Sequence, residues 1–87
     1  MHQIEYLEFS TRKAPKTIIK ECCQRADRNG DYKGQITDIR FKDITKKSRK
    51  EAIDYIDSID NGWYNNIAVK MKENGKLRWL VKIEYHC

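Results

Sequence analysis

The 87-residue chain predicts an α+β fold. The element order is β-α-β-α-β-β, a two-layer sandwich in which two helices lie on one face of a four-stranded, mostly antiparallel sheet. Three observations point there: helically spaced apolar residues after Pro15, a second such set after Ser48, and two apolar runs meeting at Asn74-Gly75. At this length one core and one domain spanning residues 1–87 are expected.

Residues 2–9 are rich in β-formers (Ile4, Tyr6, Leu7, Phe9) and suit a strand, although alternation breaks at Tyr6-Leu7 and leaves the inward face open. Ser10 and Thr11 offer N-caps, and Pro15 fits a first helical turn. Ile18, Ile19, Cys22, Cys23 and Ala26 then recur at i, i+3, i+4, i+7 spacing, so a helix runs to about Asn29-Gly30. Its outward stripe carries Lys13, Lys16, Lys20 and Arg28. After a turn rich in Gly30, Asp31 and Gly34, Ile39 and Phe41 alternate with Asp38, Arg40 and Lys42 as a half-buried strand would. Ser48 and Glu51 form a capping box ahead of Ala52, Ile53, Ile56 and Ile59, and Asn61-Gly62 stops this second helix. Its outer side is acidic, with Glu51, Asp54, Asp57 and Asp60.

Strands over 63–72 and 77–86 follow. A two-residue Asn74-Gly75 turn would mix apolar and charged residues on both sides of this hairpin. A three-residue loop with a left-handed Gly75 instead sets Ile67, Val69 and Met71 against Leu77, Trp79 and Val81, and Trp63 across from Tyr85. One face is then apolar throughout, so the three-residue loop is predicted. The expected core is Ile18, Ile19, Cys22, Ile39, Phe41, Ile53, Ile56, Ile67, Val69, Trp79, Val81, Ile83 and Tyr85.

Charge directs the functional reading. Lys and Arg total 18 against 13 Asp and Glu, a net charge of +5. Residues 12–50 hold 13 basic and five acidic residues, whereas 51–62 hold four acidic ones alone. By alternation, the sheet face away from the helices displays Arg40, Lys42, Lys70, Lys72, Arg78 and Lys82 against Asp38 and Glu84, with Tyr64, Leu80 and His86 among them. Cations for phosphates and rings for bases on an open sheet suit nucleic-acid binding. The run 42–50, with Lys46, Lys47 and Arg49, reads as a second phosphate contact on a loop entering a helix N-terminus. The bland readings are a solvated sheet face and a solvated loop. Trp63 and Tyr64 beside the acidic helix make a candidate protein interface, weighed against a core role for Trp63.

Other chemistries lack support. Cys22, Cys23 and Cys87 are odd in number and two are adjacent, so reduced thiols are expected. No C-x-x-C or H-x3-H spacing exists, and neither metal nor cofactor is expected. Residues 27–38 start like a calcium loop but place Tyr32 where the turn glycine is needed and Asp38 where a bidentate Glu is needed. No G-x-S-x-G, phosphate-cradling glycine loop or H-E-x-x-H is present, so a non-enzymatic binding protein is expected. No apolar run approaches the roughly 20 residues a bilayer needs, and the start MHQIEYLEFS lacks signal-peptide features. A cytoplasmic protein without a membrane partner is the expectation. Strand order is open, which leaves room for a homodimer through an edge strand.

The stretch Ser48-Arg-Lys-Glu-Ala-Ile-Asp-Tyr-Ile, then Gly62-Trp-Tyr, then Trp79-Leu-Val-Lys-Ile-Glu-Tyr-His86 resembles the C-terminal half of small uncharacterised proteins of bacterial phages and mobile elements. The resemblance covers about the last 40 residues and includes no catalytic signature. It implies a compact accessory protein that antagonises a host defence system, such as an anti-CRISPR inhibiting a host nuclease. A basic chain argues against acidic nucleic-acid mimicry and for contact with RNA, DNA or an acidic protein surface. Nucleic acid, or a nucleic-acid-associated protein, is therefore the expected partner.

Overall fold

The computed structural model describes residues 1–59 and 66–87. Six elements follow the predicted order: β1 (His2–Ser10), α1 (Pro15–Asn29), β2 (Arg40–Lys46), α2 (Arg49–Ile59), β3 (Ile67–Glu73) and β4 (Lys76–His86). The strands form one mixed sheet in the order β1-β4-β3-β2. β4 runs antiparallel to both neighbours, and β2 pairs parallel with β3.

Local chemistry explains the helix boundaries. Pro15 occupies the first turn of α1, and the chain leaves after Asn29 as the Gly30 N–H donates to Ala26 O. The first turn of α1 has neither a side-chain cap nor an acidic residue. At α2 the capping box forms with one shift: Ser48 Oγ accepts from Glu51 N–H, but the Glu51 carboxylate accepts from Lys47 N–H. The stop at Asn61-Gly62 lies outside the described residues.

The two helices lie on opposite faces of the sheet, not on one. Ile18, Cys22 and Ala26 of α1 cluster with Ala68, Trp79, Val81, Ile83 and Tyr85, joined by Ile36 and Ile39 from the connection to β2. Ala52 and Ile56 of α2 cluster with Ile67, Val69, Met71 and Leu80. Neighbouring residues of a strand point to opposite sides, so Ala68 and Val69 mark two different faces. The connection from β1 to β2 travels across β4 and β3 in one direction, and the β2-α2-β3 unit returns in the other. Two parallel crossovers of the same hand that travel in opposite directions must place their helices on opposite faces. Three layers result, with β3 and β4 covered on both sides.

The hairpin follows from the same arrangement. Glu73 pairs with Lys76 across a two-residue turn in which Asn74 has φ 54° and Gly75 φ 77°. This is the left-handed pair that Asn-Gly tolerates best. The predicted three-residue loop is therefore one residue out of register, and Val69 faces Leu80 where Trp79 had been expected. A one-residue slip exchanges faces, and because a helix covers each face of the sheet, apolar residues need not gather on one side of the hairpin. The break of alternation at Tyr6-Leu7 has the same origin: Tyr6 packs on the α2 cluster, Leu7 and Phe9 on the α1 cluster.

Candidate nucleic-acid interface

The predicted site residues divide into three sets. Arg78 and Lys82 do not lie on an open face. They share the α2 face with Leu80, and each has a carboxylate at hand. Arg78 Nε lies 3.7 Å from Glu8 Oε1, and Arg49 Nη1 lies 2.5 Å from Glu8 Oε2. Lys82 Nζ lies 3.0 Å from Glu84 Oε1, with both residues only 5% exposed. His2 Nε2 sits 3.0 Å from the other Glu84 oxygen, and Asn66 Oδ1 accepts from Glu84 N–H. Arg49 and Arg78 thus sit at the partly exposed Glu8 carboxylate, and Lys82 at the buried Glu84.

The run 42–50 is not a loop either. Residues up to Lys46 belong to β2 and Arg49 opens α2, leaving Lys47 and Ser48 as the connection. The anion site expected at that helix start is already filled: Arg49 N–H donates to Glu73 Oε2, beside the capping box.

The second set sits along the free β2 edge. Arg40 is opposite Ile67 and Lys46 opposite Met71, which places both on the α2 face. Lys46 Nζ stands 4.5 Å over the Tyr55 ring. Arg40 and Lys47 are exposed and Lys42 is half-buried, and none of the three is in an ion pair among the described residues.

The third set, Lys70 and Lys72, lies on the α1 face, beside Trp79 and Leu77 in the register. Lys70 Nζ is 5.3 Å over the Trp79 ring and 3.9 Å from Asp43 Oδ1, and Phe41 meets Trp79 edge-on at 5.1 Å. Lys72 is exposed and in no ion pair among the described residues.

On that same side, α1 presents cations outside the predicted site. Lys16 and Lys20 of α1, and Arg12 in the turn before it, are exposed and form no ion pair among the described residues, whereas Lys13 of that turn is bridged to Glu21. The i, i+4 spacing of Lys16 and Lys20 had shown this stripe to be outward. Arg25 is committed elsewhere. Its guanidinium binds Glu5 in a fork, and Tyr85 OH donates to the same carboxylate at 2.7 Å. The Arg25 hydrogen bond, aided by Tyr85, holds the Glu5 carboxyl below the usual carboxylate range against the opposing effect of burial. A cleft of about 280 Å³ between β1 and α1 is lined by Leu7, Phe9, Glu21, Arg25 and Arg28.

The helix placement sets the basic stripe of α1 and the acidic residues of α2 on opposite sides of the sheet, although Arg40 and Lys46 also stand on the α2 face and Lys50 bridges Asp54. Uncompensated Arg12, Lys16, Lys20 and Lys72 lie on the α1 side, and exposed Glu51, Asp54 and Asp57 lie on α2. No protein family, curated protein or solved structure matches this chain. Among the described residues no His, Cys, Asp or Glu group is arranged to hold a metal ion, and no helix is long and apolar enough to cross a membrane. Trp63 and Tyr64 lie outside the described residues.

Cys22 and Cys23 are poor nucleophiles. Burial pushes Cys22 up to about 12, and burial together with the Asp27 carboxylate raises Cys23. Alkylation of Cys22 by iodoacetamide at neutral pH is expected to be far slower in the folded protein than in urea. Equal rates in the two states would show the thiol to be exposed.

Proposed function

We propose that the protein is a non-enzymatic nucleic-acid binder that contacts the phosphate backbone through its α1 side, with little sequence preference. The observation that carries this reading is the collection of exposed cations without ion pairs, Arg12, Lys16, Lys20 and Lys72, on the side opposite acidic α2. A polyanion approaching this dipolar surface is oriented by it: α1 is attractive and α2 repulsive. Lys70 adds a fifth cation, already turned along the sheet by the Trp79 ring. The β2-edge residues Arg40, Lys42 and Lys47 form a flank that a longer strand could reach.

If about five phosphates are neutralised, affinity should fall by between two and three orders of magnitude from about 50 to 200 mM salt. Fluorescence anisotropy with labelled single-stranded and duplex oligonucleotides measures this directly. The triple variant Lys16→Glu, Lys20→Glu, Lys72→Glu changes only exposed side chains and should abolish retention while the far-UV circular dichroism stays unchanged. The control Lys50→Glu, on the α2 side, should bind nearly as the parent does. Retention of oligonucleotide by the triple variant, or salt-independent binding by the parent, would remove this reading.

A further inference from the structure

We propose that the β1 edge of the sheet joins a second copy of this chain, antiparallel, to make one continuous sheet across a two-fold axis. The two edges of the sheet differ in a way that identifies which is open. β2 is blunted: its register with β3 is broken by an irregularity between Phe41 and Thr45, and its seven residues include Arg40, Lys42 and Lys46. Bulges and cations are the devices that stop edge strands from pairing further. β1 has neither. It pairs residue for residue with β4 from His2 to Ser10 and contains no Lys, Arg or Pro.

The hydrogen-bond phase of β1 shows what this edge presents. Cys87 N–H donates to Met1 O at 2.8 Å. Alternation then makes Gln3, Glu5, Leu7 and Phe9 the residues bonded to β4, and directs the N–H and C=O of even-numbered residues outward. For Ile4 and Glu8 these groups have no partner among the described residues, and the Ile4 side chain is 45% exposed.

Charge then selects the register. A two-fold through Glu5 or Glu8 would set two like carboxylates directly opposite each other. A two-fold through Tyr6 uses all nine residues and sets Ile4 against Glu8, Glu5 against Leu7 and Gln3 against Phe9 of the second copy. The two symmetric Ile4 and Glu8 pairings add four backbone hydrogen bonds. Arg49 Nη2 already donates to Tyr6 O at 3.4 Å, and a carbonyl oxygen has a second lone pair for an inter-chain bond. An axis perpendicular to the sheet leaves both α1 helices on one face of the joined sheet. The contact stands on the edge geometry alone and is independent of nucleic-acid binding.

Sedimentation equilibrium of the full chain from micromolar to millimolar concentration tests this. The mass should rise from 10.4 kDa toward twice that value. Ile4→Lys puts a cation on the edge and should keep the protein monomeric at every concentration with an unchanged circular dichroism spectrum. Ile4→Pro is the second variant: it removes only an outward N–H, which an edge strand tolerates, and should also abolish association. Amide exchange at Ile4 and Glu8 should slow with concentration while that of β2 does not change. A parent chain that stays at 10.4 kDa at millimolar concentration, or an undiminished dimer in both folded variants, would overturn the assignment.

Discussion

Replacing Lys82 with glutamate is expected to unfold the protein. Lys82 and Glu84 are both 5% exposed, and their charged atoms lie 3.0 Å apart in a layer shared with Ile67 and Leu80. Removing Lys82 leaves the buried Glu84 carboxylate with only the His2 imidazole and its own backbone surroundings among the described residues, and breaking such a buried pair costs roughly 3–5 kcal/mol. The glutamate adds a second carboxylate beside the first. Total stability for a chain of this size is about 4–13 kcal/mol, so a loss of this order consumes much or all of it. Lys82→Met should lose the 3–5 kcal/mol alone. Lys82→Met with Glu84→Leu should regain most of that loss, because apolar side chains of similar volume need no pairing. Urea denaturation followed by circular dichroism reads all three. Lys72→Glu, ten residues earlier in the chain, is exposed and should change stability by less than about 0.5 kcal/mol. A Lys82→Glu protein with the parent's midpoint would show that the side chain reaches water.

The contrast between Lys72 and Lys82 marks the limit of what the chain discloses by itself. Element order, the start of α2 and the end of α1 were legible because they depend on local chemistry, the Ser48 capping box and i, i+4 apolar spacing. The stripe Lys16 and Lys20 was legible for the same reason. Pro15 marks the first turn of α1, but the expected caps Ser10 and Thr11 do not cap it, since Ala14 is the N-cap and makes no side-chain bond. Which face a strand residue takes depends instead on register and on whether the second face is covered, and both are set by distant segments. Arg78 and Lys82 read as surface cations if one face stays wet; Lys82 is instead buried against Glu84 beneath α2, while Arg78 is half-exposed beside Glu8. Two signals pointed the other way. Leu80 sits between Trp79 and Val81, and Ile67-Ala68-Val69 has no polar interruption, as expected of strands buried on both faces. The Asn74-Gly75 dipeptide itself favours the two-residue turn. The Glu5–Arg25–Tyr85 cluster could not be read, since it joins residues 20 and 80 positions apart.

A pair of leucine truncations separates the two registers without reference to charge. Leu80 is 0% exposed and packs among Ile56, Ile67, Val69 and Met71, whereas Leu77 is 41% exposed near the turn. Leu80→Ala should cost about 2–5 kcal/mol, the transfer term plus a cavity that α2 closes only partly. Leu77→Ala should fall within about 0.5 kcal/mol of the parent. With a three-residue loop the order reverses, because Leu77 would face Met71 in the core and Leu80 would point to solvent. Chemical denaturation with a shared m value gives both differences directly. A Leu77→Ala loss exceeding that of Leu80→Ala would return Arg78 and Lys82 to an open face, and with them the broader cationic sheet. The expected order instead keeps Lys82 beside Glu84 beneath α2 and leaves the proposed polyanion contact to the exposed cations around α1 and Lys72.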